Sequence, residues 1–103
     1  QKWETLPESL NLPTPRAGTT TVCLEDQYLV ILGGEGAGQA WNNVEAYDTL
    51  LRRWVKLDPM NSARHGTQAI LSGGSIYVAA GSPTQGGGRI HAMEVYGGDN
   101  AVG

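Results

Sequence analysis

Arg16-Ala-Gly-Thr19 returns as Arg64-His-Gly-Thr67, Leu29-Val-Ile-Leu-Gly-Gly34 as Tyr77-Val-Ala-Ala-Gly-Ser82, and Val44-Glu-Ala-Tyr47 as Met93-Glu-Val-Tyr96. The interval is 48 residues from Arg16 to Arg64 and from Gly33 to Gly81, and 49 from Glu45 to Glu94 and from Tyr47 to Tyr96. A unit of this length, written in short apolar runs, cannot bury its own apolar face. It must stack against copies of itself.

The text around the repeats is that of an all-β chain. No segment carries apolar residues at a 3.6 period for three turns; the apolar runs are short, alternate, and stop at Gly, Pro, Asn or Asp. Eight strands are expected: Lys2–Leu6, Thr19–Leu24, Tyr28–Leu32, Val44–Tyr47, Arg53–Leu57, Thr67–Leu71, Ile76–Ala80 and Met93–Tyr96. Lettered by repeat, they read d, a-b-c-d, a-b-c. Residues 7–15, with three prolines, form a connection, as do the Gly-rich stretches 35–43 and 81–90. The turns at 25–27 and 72–75 are short. Residues 98–103 read as a tail.

Composition narrows the function classes. With 10 acidic and 7 basic residues among 103, the net charge of −3 gives no electrostatic reason to expect a nucleic acid or an anionic membrane surface. No run of 18 apolar residues exists to span a bilayer. Cys23 stands alone in an apolar strand, where a small buried hydrophobe is expected, and it leaves the compartment open.

Arg16, the Gly33–Gly34 doublet, Tyr47-Asp48 and Trp54, in that order, resemble the kelch repeat. The resemblance covers residues 1–97, and galactose oxidase carries a domain of this kind. It implies two four-stranded β-propeller blades that belong to a closed ring, made with further blades or with other copies of the chain. Residues 16–58 would be a complete blade, residues 64–97 a blade lacking its outer strand, and residues 1–6 an outer strand. Three chains of two blades each would give a six-bladed ring. The structural positions of the repeat are Gly33, Gly34, Tyr47 and Trp54, with Gly81, Tyr96 and Trp3 as their counterparts.

In such a fold the b–c and d–a connections emerge at one end, and these are the long ones here. The resemblance therefore implies a binding or scaffold module that meets a protein or peptide segment, with acidic groups on the partner, at that rim. Arg16, Trp41, Arg64, His65, Arg89 and His91 are the candidate ligand-binding residues. A guanidinium fork matches a carboxylate geometrically. The arginines at the repeat starts have a second reading, as ties on loop carbonyls. Carbohydrate binding with Trp41 as a stacking platform is the alternative, followed by a non-catalytic portion of a copper or carbohydrate-active propeller enzyme. No catalytic residue, cofactor or metal ligand is expected. Glu45 and Glu94 occupy equivalent strands, which marks them as structural, and the two histidines lie 26 residues apart with no ligand spacing.

Overall fold

The computed structural model describes residues 1–97; the expected tail lies outside the described residues. The described residues are all-β, with nine strands and one short 3-10 turn at Glu8–Leu10. β1 (Thr20–Leu24), β2 (Tyr28–Leu32), β5 (Val44–Asp48) and β6 (Arg53–Leu57) form an antiparallel meander in the order β1-β2-β5-β6. β7 (Gln68–Ser72), β8 (Ser75–Ala79) and β9 (Met93–Tyr96) form a three-stranded sheet in the order β7-β8-β9. Between β2 and β5 sits a small hairpin, β3 (Glu35–Gly36) with β4 (Gln39–Ala40), inside the stretch read as a Gly-rich connection.

The two sheets pack face to face. Register places Tyr28, Val30 and Leu32 opposite Asp48, Ala46 and Val44, so these residues share one side of the first sheet. That side meets Ile76 and Val78 of the second, with Met60 of the connection closing the cluster. Burying a side chain of this size is worth about 1.5–3 kcal/mol, so this sandwich is the main source of stability. β1 and β7 run beside each other, and the Ala69 amide donates to Thr20 Oγ1 at 2.8 Å.

Three expectations change. Lys2–Leu6 forms no strand: residues 1–6 are exposed and Trp3 is fully so, at 101% of its reference area. Among the described residues no sheet edge receives it, and a strand without a partner leaves its backbone groups to water. Cys23 is exposed rather than buried, because its side of β1 carries no covering sheet. The third change concerns register. The β1–β2 turn has three residues, Glu25 and Asp26 both at φ 55°, whereas β7–β8 turns through Gly73-Gly74 alone, at φ 56° and 80°. The second copy thus loses one residue, and the strand expected at Ile76–Ala80 runs from Ser75 to Ala79. Gly33 corresponds to Ala80, not to Gly81, and both have the same left-handed backbone, φ 66° and 67°. Gly34 corresponds to Gly81 at φ 113° and 97°.

Candidate functional site

The long connections gather at one end of the sheets and are stitched to each other. Ala17 bridges Glu35, and the equivalent pair in the second copy is His65 with Ser82. Gly66 N donates to Gly18 O at 3.1 Å, and Arg64 N donates to Trp41 O at 3.1 Å. Gly34 N donates to Arg64 O at 2.9 Å. This last contact explains the glycine pair. A Cβ at Gly33 would run into Arg64 O, and one at Gly34 would lie 2.7 Å from Ala17 O. The opposite end carries only tight turns. There the buried Asp48 carboxylate accepts from Leu50 N and Leu51 N at 2.9 and 3.0 Å, and from Gln27 Nε2 at 3.0 Å. The Leu51 amide first, then the Gln27 amide, hold its pKa below the ordinary carboxylate value of 3.8.

Beneath the loop end lie two matching clamps. Arg16 Nη1 donates to Gly33 O and to Asn43 O, its Nε donates to Thr14 O, and its Nη2 pairs with Glu45 at 2.7 Å. Arg64 Nη1 donates to Ala80 O at 2.8 Å and Ala92 O at 3.1 Å, and its Nη2 pairs with Glu94 at 2.8 Å. Both arginine side chains are 0% exposed. Glu94 also receives the Asn61 and Ser62 amides at 2.6 and 3.0 Å. Each arginine thus ties the end of strand b, the start of strand c and a strand-c carboxylate into one frame.

That placement corrects the expectation that Arg16 and Arg64 face a ligand. Their forks point into the protein, since the loop carbonyls have no ladder partners and a buried guanidinium satisfies two at once. The alternative reading, as ties on loop carbonyls, describes what they do. Of the other candidates, His65 is mostly buried. Its Nε2 lies 2.8 Å from Thr84 O and its Nδ1 3.5 Å from Glu35 Oε2. It bridges the loops of the two sheets. Trp41 is half-buried, and its indole N–H donates to Gly36 O at 3.1 Å, closing the β3–β4 hairpin. Arg89 and His91, in the long loop before β9, are exposed and make no ion pair among the described residues.

Sequence reasoning missed Glu35 and Thr84, which flank His65. Glu35 follows the glycine pair directly, and its counterpart is Ser82; the one-residue slip between the copies hid that equivalence. Among the described residues no three His, Cys, Asp or Glu side chains come together as a metal site. Tyr47 and Trp54, opposite one another on β5 and β6, pack with ring centroids 5.3 Å apart and planes tilted by 59°, and Trp54 Nε1 donates to Leu10 O at 2.8 Å. Among the described residues no strand pairs with the other side of β9, so Tyr96 has no such partner there.

No protein-family model matches the chain, and no curated protein matches it.

Proposed function

We propose that the chain is a pair of kelch-type β-propeller blades serving as a binding module for an acidic protein or peptide segment. The observation that carries this reading is the division of labour between the two ends. The connections 33–43, 58–66 and 80–92 meet at one end, on a frame held by the Arg16–Glu45 and Arg64–Glu94 clamps. Rigid frames that carry exposed loops are where recognition is commonly placed. The binding side chains are Arg89 and His91, which are exposed and outside the two clamps, while His65 and Glu35 tie the loops of the two sheets together. The carbohydrate alternative draws less support, because the Trp41 ring is half-buried and its N–H is spent inside its own loop.

The test uses fluorescently labelled Glu-rich and Lys-rich peptides, titrated by anisotropy. Acidic peptides should bind in preference. Arg89→Ala with His91→Ala should weaken that binding about tenfold, as expected for about 1.4 kcal/mol of charge-assisted contact, without moving the melting temperature. Equal binding of both peptide types, or binding untouched by the double variant, overturns the proposal.

A further inference from the structure

We propose that His65 is a proton-operated latch: its imidazolium joins the β3–β4 hairpin of the first sheet to the 80–92 loop of the second, and its neutral form lets the hairpin go. This goes beyond the rim reading and involves no ligand.

The latch is seated by the backbone. His65 N donates to Ser82 O at 3.1 Å and Ser82 N donates to His65 O at 2.9 Å, which fixes where the ring starts. From there the ring reaches two groups. Nε2 lies 2.8 Å from Thr84 O, and Nδ1 lies 3.5 Å from Glu35 Oε2. The Glu35 carboxylate comes to that position over Gly18, where a Cβ would lie 3.3 Å from Oε2 and 3.8 Å from His65 Cβ. A carbonyl and a carboxylate only accept. Neutral imidazole has one N–H and serves one of them, whereas the imidazolium donates to both.

The two contacts are not equally strong. Thr84 O belongs to a turn tied on itself: Ser82 Oγ lies 2.9 Å from Thr84 O, and the Ser82 and Thr84 hydroxyls each lie 2.6 Å from Gly87 O. Loss of a proton therefore leaves Nε2–H on Thr84 O and turns a bare Nδ1 lone pair toward a carboxylate. That pairing repels. The Glu35 side chain, 27% exposed, has water to turn to, and the His65 ring, 16% exposed, stays with its loop.

Among the described residues Glu35 is the charged group paired with the ring. Arg16 and Arg64, on the neighbouring connections, turn their guanidinium groups into the clamps with Glu45 and Glu94. Arg89 and His91, further along the 80–92 loop, are exposed and form no ion pair among the described residues. Histidine changes charge between about pH 5 and 8. The charged form is the one that gains a partner, so the latch is complete in mild acid and is lost as pH rises through that range. The hairpin it frees also holds the Trp41 indole on Gly36 O. One continuous loop surface in mild acid thus becomes two loops that move independently above neutrality.

Nuclear magnetic resonance of the full chain, labelled with nitrogen-15, tests this at about pH 5.5 and about pH 8. The His65 ring should be doubly protonated at the lower value and a single Nε2–H tautomer at the higher. Protection of the Ala17, Glu35 and Trp41 amides, which anchor the hairpin, should fall about three- to fivefold across that interval relative to the Val30 and Ile31 amides, a loss in keeping with a partly exposed ion pair. Glu35→Gln should remove the pH dependence, because an amide accepts from Nδ1–H or donates to a bare Nδ1. Hairpin protection equal at the two pH values overturns the proposal. So does a His65 ring in the same protonation state at both, or a pH dependence that persists in Glu35→Gln. None of these readouts uses a peptide, so they stand or fall apart from the rim reading.

Discussion

Replacing Arg64 by alanine removes a wholly buried guanidinium and three hydrogen bonds at 2.8–3.1 Å, to Ala80 O, Ala92 O and Glu94. Breaking a buried pair by deleting one partner costs about 3–5 kcal/mol, most of it from the charge left behind. Here the charge left behind is Glu94, which keeps the Asn61 and Ser62 amides. The lower end, about 3 kcal/mol, is therefore expected. Set against a total stability of about 5–15 kcal/mol for a chain of this size, that is a large share. At about 4–8 °C per kcal/mol, the melting temperature should fall by about 12–24 °C. Thermal unfolding followed by circular dichroism, checked by urea titration, reads this directly. Arg64→Lys should fall between the two, because it keeps the charge and loses the fork that reaches several acceptors at once. A shift below about 3 °C for Arg64→Ala would refute the clamp, and with it the argument that this arginine belongs to the frame rather than to the binding surface.

Two further outcomes follow from the backbone and from Asp48. Ala80→Gly should raise stability by about 0.5–1 kcal/mol, since alanine there holds a left-handed φ of 67°. Gly33→Ala should lower it by about 2 kcal/mol or more, because the same φ is joined by a collision with Arg64 O; equal effects of opposite sign would show that the collision contributes nothing. Asp48 has its folded-state pKa lowered, so the stability it contributes is complete above the ordinary value of 3.8 and is lost as pH falls below that value through the folded-state pKa. Acid titration of the melting temperature should show that loss in wild type and a flatter profile in Asp48→Asn; superimposable profiles would contradict the assignment.

What the amino-acid sequence determined by itself was the all-β class and the seven five- or four-residue strands from Thr20 to Tyr96, though not the small β3–β4 hairpin, because alternation and turn residues are local signals. It also marked the duplicated arginine and glutamate, though as separate residues. That Arg16 seeks Glu45, and Arg64 seeks Glu94, depends on loop carbonyls some 15–30 residues away, which only the folded meander brings together. Tertiary structure also decided the true correspondence of the copies. A turn shorter by one residue shifts strand b, so Ala80 takes the place that the text of the repeat had given to Gly81. The fate of Lys2–Leu6 was likewise beyond local reading. A strand is a property of a pair of segments, and its pattern cannot say where its partner edge lies.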